Sequence, residues 1–329
     1  MFEQLGLVGN ALILLVSVLL LVIGSEVTIR NAVKVSDITG LGKTTIGFIL
    51  VGFSTSLPEL SVSVFAVANP ESVGVSIGNV LGSNIVNIAL VLGVCILIIV
   101  LRRPRFPSFK LALAKEETGN LQFGLFIASI IPLTLLYIGY ASRFIGVILV
   151  GIFVFYMIQL ARVNRTRGAS PSPSDRRRLR SYASFAVVGA TLVIATAFFI
   201  VESASTIAVG VGIPSVVIGA TIIALGTSIP ELATNVSSAR KGNFDLALGN
   251  IVGSGFINIT LILGVALIAS PLNVSIAAFS NLALFSLIVN LFLWYFLGSG
   301  KMSWREGALF LALYAAFLVI SFGGYNTQG

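Results

Sequence analysis

Ten apolar runs of about 20 residues follow one another along this chain, centred roughly on residues 18, 56, 88, 130, 153, 192, 225, 258, 287 and 314. Each is long enough to cross the hydrocarbon core of a bilayer, where a backbone must satisfy its own polar groups and does so as a helix. Composition agrees: 57% of the 329 residues are hydrophobic and only 10% are charged, a balance that a water-soluble domain does not have. The expectation is an all-α integral membrane protein of ten transmembrane helices. The first run, residues 5–23, follows Glu3 rather than a basic leader and exceeds a signal-peptide core, so it reads as a retained span. A single cysteine, Cys95, excludes an intrachain disulfide and, lying in an apolar run, reads as packing.

The formal net charge of +8 could suggest a nucleic-acid partner, but the basic residues are distributed by side. With ten spans, one face collects 19 of the 20 Lys and Arg residues, from Arg30 and Lys34 to Lys301 and Arg305, and only Arg143 falls opposite. This asymmetry predicts a multi-pass protein of the cell membrane with those loops in the cytoplasm and both termini outside. The charge reports topology, and no nucleic-acid or obligatory protein partner is expected. Residues 162–181, "RVNRTRGASPSPSDRRRLRS", form a basic linker rich in Ser and Pro beside anionic headgroups. It divides the chain into residues 1–161 and 182–329, five spans each.

The halves repeat one another. "STSLPELSVSVFA" at 54–66 matches "GTSIPELATNVSS" at 226–238, and "GNVLGSNIVNIALVLGV" at 78–94 matches "GNIVGSGFINITLILGV" at 249–265. With an odd number of spans per half, the second half enters the membrane from the opposite face, giving two inverted five-helix repeats. "GLGKTT" at 40–45 is a decoy: a phosphate-binding loop needs glycine where Asp37 stands.

Within each half the polar residues recur at helical spacing. Thr55 and Glu59 are four apart, as are Thr227 and Glu231; Ser83 and Asn87 repeat the interval, as do Ser254 and Asn258. Pro58 and Pro230 each precede a glutamate and remove one helical hydrogen bond, freeing carbonyls to turn towards a ligand. Every candidate ligand is an oxygen and the chain has no histidine, a donor set for calcium or sodium rather than zinc, copper or nickel. Two carboxylates would neutralise one divalent ion, and bare they would repel. Glu26 and Glu202 occupy similar places in the first span of each half; they read as helix-end charges near water, with an ion-path lining as the alternative. Trp294 and Trp304 read as interfacial anchors.

At "STSLPEL", "GTSIPEL" and the two "GN..GS...N" segments, the sequence resembles the sodium/calcium exchangers of the calcium/cation antiporter superfamily, prokaryotic type. The resemblance implies a central site in which Glu59 and Glu231 ligate calcium beside Thr55 and Thr227. It also implies that Ser56, Ser83, Ser228 and Ser254, with the same threonines and glutamates, help bind sodium. Backbone ligation by Gly52 and Ala224, and sliding of the first and sixth spans over the core, are implied likewise, with Asn87 and Asn258 as supporting polar groups. The family's stoichiometry would be three sodium ions per calcium. Potassium-dependent relatives and some prokaryotic members have an aspartate where this chain has Asn258, which argues against potassium co-transport. The expected function is therefore a sodium-driven calcium antiporter working by alternating access, with a proton-coupled calcium exchanger as the alternative and a cation channel behind it. No enzyme is expected, because no HExxH motif, Ser/His pair or cofactor loop is present; no cofactor is called for, only the transported ions.

Overall fold

The computed structural model describes residues 2–39, 55–68, 72–102, 108–111, 115–163, 173–242, 244–273 and 276–323, and these are nearly all helical. In chain order the helices are α1 (Gly6–Thr39), α2 (Leu57–Val67), α3 (Val73–Arg102), α4 (Lys115–Ile138), α5 (Arg143–Val163) and α6 (Pro173–Val211). They continue as α7 (Ser215–Thr227), α8 (Ile229–Arg240), α9 (Phe244–Ala269), α10 (Ile276–Ser299) and α11 (Trp304–Gly323). Seven of them are long and apolar enough to cross a membrane, and α7 with α8, bent by 46°, makes an eighth if the pair counts as one span. The expected runs near residues 56 and 153 fall on shorter apolar helices, Leu57–Val67 and Arg143–Gln159. The start of the former run lies outside the described residues.

The only extended segments among the described residues are four loop pieces of two or three residues. β1 (Ser108–Lys110) pairs antiparallel with β4 (Lys301–Ser303), with Lys110 opposite Lys301, and β2 (Tyr140–Ala141) pairs with β3 (Leu272–Asn273). Each ladder clips a loop of the first half of the chain to a loop of the second.

Burial sorts the helices into a centre and a periphery. In α3 and α9, 67% and 83% of the apolar window is buried inside the protein, against 22% in α1, so α3 and α9 form the middle. Large apolar side chains such as Val8, Leu12, Phe144 and Val319 are exposed; on a helix of spanning length this is the face that meets lipid. One hydrophobic cluster fills the centre, including Val80, Ile88, Leu92, Cys95, Ile251, Ile259 and Phe310. Cys95 thus packs in the core as its sequence context implied. A second, separate cluster joins α1 and α6 to the centre through Leu21, Val62, Val193, Ile200 and Ile218.

α1 and α6 have 34 and 39 residues, or about 50 and 60 Å of helix. Both overrun a hydrocarbon core of about 30 Å and so tilt or project from it. They pack along each other, with Gly24 and Gly189 at the crossing: a Cβ on Gly189 would lie 2.7 Å from the Gly24 carbonyl oxygen.

α3 approaches α7 still more closely. A Cβ on Gly78 would lie 2.1 Å from the Val216 carbonyl oxygen, and one on Gly82 2.3 Å from that of Ala220. Backbone cannot yield as a side chain can, so Gly82→Ala is expected to destabilise by about 1–3 kcal/mol and lower the thermal unfolding midpoint in detergent. Gly151→Ala on α5, where a Cβ meets nothing within 4 Å, should leave the midpoint unchanged or slightly higher.

Candidate functional site

A serine caps the start of each helix that carries a glutamate. Ser56 has φ −85° and ψ 3°, Ser228 has φ −87° and ψ 4°, both in the sparsely allowed region between helix and strand that recurs at functional sites. A fresh helix starts after each, its first turn closed by the Leu60 N–H donating to Ser56 O and the Leu232 N–H donating to Ser228 O, both at 3.0 Å. Pro58 and Pro230 therefore sit in the first turn of α2 and α8, where a missing N–H costs nothing. In the second copy the expected proline distortion is a break between α7 and α8, bent by 46°; the residues before Thr55 lie outside the described ones. Glu59 and Glu231 thus stand in the first turn of a helix, at the positive end of the helix dipole, in a segment that would otherwise offer a carboxylate little support.

Glu59 and Glu231 are fully buried, and near enough that charge on one opposes charge on the other. The sequence spacing pairs Thr55 with Glu59 and Thr227 with Glu231, but the helix breaks exchange the partners. The hydroxyls of Thr227, Ser228 and Ser83 face Glu59, whereas those of Thr55 and Ser254 face Glu231. Ser254 is the hub: its Oγ lies 3.5 Å from Glu231 Oε1 and 3.2 Å from Ser56 Oγ, and it accepts from Asn87 Nδ2 at 3.3 Å. On the other side Ser228 Oγ donates to Glu59 Oε1 at 3.4 Å, and Ser83 Oγ lies 3.5 Å from Thr227 Oγ1.

Asn87 and Asn258 stand in π-helical turns, Val86–Leu92 of α3 and Asn258–Ile262 of α9, local widenings that often mark functional positions. Asn87 joins the network through Ser254, but neither amide atom of the buried Asn258 has a partner among the described residues. Gly52 lies outside the described residues. The Ala224 carbonyl accepts from Ser228 N at 3.1 Å and from the Thr227 hydroxyl at 3.3 Å, so in this conformation it is engaged internally.

The departure of Gly255 from its counterpart Asn84 has a steric cause. A Cβ on Gly255 would come 2.6 Å from Asn84 Oδ1, while Asn84 Nδ2 donates to Ser286 Oγ at 2.8 Å. The glycine makes room for the other half's amide.

Sequence reasoning missed Asn79 as a contributor, although the "GN" of both motif copies signals it. Its Nδ2 donates to Glu59 O at 3.2 Å, and its Oδ1 accepts from Thr227 Oγ1 at 3.1 Å. Glu26 is exposed and ion-paired to Arg30, but α1 continues past it to Thr39, so it meets water along the helix rather than at its end; Glu202 is half-buried on α6.

The oxygens of the centre are more gathered than paired. Their separations of 3.2–3.5 Å are long for O–H···O bonds. They match the spacing of neighbouring ligands at right angles around a cation held at about 2.4 Å, which is about 3.4 Å. Glu59 Oε2, Glu231 Oε2, Asn87 Oδ1 and Asn258 Oδ1 are buried with no partner among the described residues. Acceptors buried in such number without donors suit a hard cation. No group of three His, Cys, Asp or Glu side chains comes together among the described residues, so the donor set is two carboxylates among hydroxyls and amides.

The sequence model of the sodium/calcium exchanger protein family matches residues 9–161 and 181–323. The chain belongs to that family. It is 32% identical to the sodium/calcium exchanger MaX1 of Methanosarcina acetivorans, across 95% of this chain and 98% of that protein. It is 31% identical to the inner membrane protein YrbG of Escherichia coli, across 86% and 88%. Among solved structures, the sodium-calcium exchanger NCX_Mj soaked with sodium and strontium superposes with a TM-score of 0.66 at 26% identity, covering 96% of this chain and 99% of that one. The H+/Ca2+ exchanger CAX shares the fold, with a TM-score of 0.76 at 18% identity over 95% and 87%.

Ser254→Ala removes the one hydroxyl that touches Glu231, Ser56 and Asn87 together. We expect this variant of the exchanger to bind sodium about tenfold more weakly, the scale of one lost polar contact, read as a smaller sodium-dependent rise in unfolding temperature.

Proposed function

We propose that this exchanger is a sodium-driven calcium antiporter, moving three sodium ions against one calcium by alternating access across the cell membrane. The observation that carries the reading is the meeting of Glu59 and Glu231, one from each motif copy, in a buried cluster of oxygens spaced for a hard cation. Calcium sits between the two carboxylates with Thr55 and Thr227 beside it. Sodium uses the same carboxylates with Ser56, Ser83, Ser228 and Ser254, and with the backbone of Gly52 and Ala224; Asn87 and Asn258 support them. Without an ion the two charges repel in a low-dielectric setting, which makes the empty carrier reluctant to reorient and so couples one ion's passage to the other's.

The ten spans are the eight long ones together with the two on which α2 and α5 lie. They form two inverted halves, residues 1–161 and 182–329, around the basic linker 162–181. The loop ladders support this arrangement: exchanging the halves turns the β1–β4 pair into the β3–β2 pair. The family match is itself interrupted at the linker. Three contacts support gathering the basic loops on one face, which is cytoplasmic with both termini outside. Arg102 Nη1 donates to Arg240 O at 2.6 Å, Lys110 pairs with Lys301, and Lys34 lies 4.8 Å from the Tyr182 ring. The separate cluster between α1, α6 and the centre supports the sliding of that pair as the access movement.

Sodium as the driving ion rests on the 32% identity to MaX1, whose name gives sodium and calcium as its ions. The high structural similarity to CAX keeps proton coupling as the second reading. Proteoliposomes loaded with sodium and diluted into sodium-free buffer should take up labelled calcium; uptake driven by a pH gradient alone would transfer the assignment to protons.

Glu59→Gln and Glu231→Gln should each abolish calcium exchange, since either leaves half the compensating charge. Near-normal uptake by one of them would remove these side chains from the centre of the mechanism. Protons and calcium compete for the same carboxylate oxygens, so exchange should slow as pH falls from 8 to 5; a flat profile would contradict a carboxylate site.

A further inference from the structure

α8 and α9 run antiparallel away from the centre and meet in rungs one helical turn apart. Glu231 with Ser254 is the first rung. Asn235 with Asn250 is the second, four residues further along α8 and four back along α9, where Asn250 Nδ2 donates to Asn235 Oδ1 at 3.1 Å. That one bond leaves Asn235 Nδ2 and Asn250 Oδ1 buried and without partners among the described residues, and Asn235 is fully buried. Turning both amides over exchanges their roles and still leaves one carbonyl oxygen and one N–H group free.

The matching rungs of α2 and α3 are Glu59 with Ser83, and Ser63 with Asn79. There the amide is saturated. Asn79 Nδ2 donates to Glu59 O and reaches Ser63 Oγ at 3.5 Å, and Asn79 Oδ1 accepts from Thr227 of the other half. One outer rung is laced shut by its neighbours and the other is not. A buried amide left half unbonded is costly, and it persists where a ligand completes it.

We propose that Asn235 and Asn250 form a cation station one helical turn outside the central glutamates, on the side of Arg240 and the basic loops. A calcium or sodium ion rests there with part of its water shell before it passes to Glu231. The free carbonyl oxygen replaces one water of the hydrated ion, and the free N–H group donates to another of its waters. The station carries no charge, so it holds the ion weakly and yields it to the two carboxylates. α8 provides the route, because Asn235 and Glu231 share one face. This inference rests on the exchange reading above.

The test is sided. Labelled-calcium exchange is measured in membrane vesicles of both orientations for the wild type, Asn235→Ala and Asn250→Ala. The basic face is identified by tryptic cleavage within residues 162–181. The expected result is a rise in KM for calcium of about three- to tenfold at the basic face, with the KM at the opposite face unchanged. Equal rises at both faces would assign the amides to the central site, and no change at either face would remove the station; both outcomes overturn the proposal. A variant that loses its calcium-dependent rise in unfolding temperature is replaced by Asn235→Ser, judged by the same criterion. A wild type with no calcium flux under either a sodium or a proton gradient defeats the exchange reading itself. An active wild type with variants indifferent to side defeats the station alone.

Discussion

Two like charges held together away from water are the constraint on which the rest of this structure depends. In bulk water a pair of unit charges 4 Å apart interacts by about 1 kcal/mol, and by several-fold more in a medium of lower dielectric. Glu59 and Glu231 are fully buried and near enough to feel each other's charge, so the fold must offset their repulsion or supply a partner. It does part of this itself. Each carboxylate stands in the first turn of its own half-helix and faces two or three hydroxyls. The remaining Oε2 atoms have no hydrogen-bond partner among the described residues, and on the exchange reading that deficit is filled by the cargo. On that reading the protein prefers to be loaded, which is the physical content of obligatory exchange.

That requirement explains why the glutamate helices start afresh at Ser56 and Ser228. In one continuous helix, Thr55 and Thr227 would each serve the glutamate four residues on, and each half would satisfy itself. The breaks at Ser56 and Ser228 redirect each threonine across the centre. Neither half then holds a complete set of donors, and a cation held by both carboxylates is held by both halves. Asn79, whose amide ties Glu59 of one half to Thr227 of the other, applies the same logic one turn further out.

Much of this was legible in the sequence because hydrocarbon permits few solutions. Runs of spanning length gave helices, and α1, α3, α4, α6, α9, α10 and α11 lie where their apolar runs lie. The repeated "TSLPEL" and "TSIPEL" singled out both glutamates, since an acid beside a proline in an apolar run has few explanations apart from function. The crosswise pairing was not legible. Helical spacing assigns partners only while the helix continues, and the φ and ψ of Ser56 and Ser228 carry no signal beyond the neighbouring proline. The π-helical turns at Asn87 and Asn258 were hidden for a similar reason: they alter register without altering composition. The contrast of Asn84 with Gly255 was visible as a mismatch between the halves, but its cause, one residue occupying the space over the other, exists only once the two helices pack.

The glycines of α3 connect packing to chemistry. Ser, Thr and Asn have short side chains, so hydroxyls and amides on different helices meet only if the backbones come close. Gly78 and Gly82 bring α3 against α7 so tightly that a methyl group would not fit. Next to each of those contacts, Asn79 and Ser83 reach Thr227 at 3.1 and 3.5 Å. Larger residues at 78 and 82 would separate the helices by more than such side chains can span, and the oxygens would face one another across a gap too wide for one cation. In lipid, where no hydrophobic force drives helices together, close backbone packing also supplies association. The same small residues therefore hold the two halves together and set the distance at which their oxygens can share an ion.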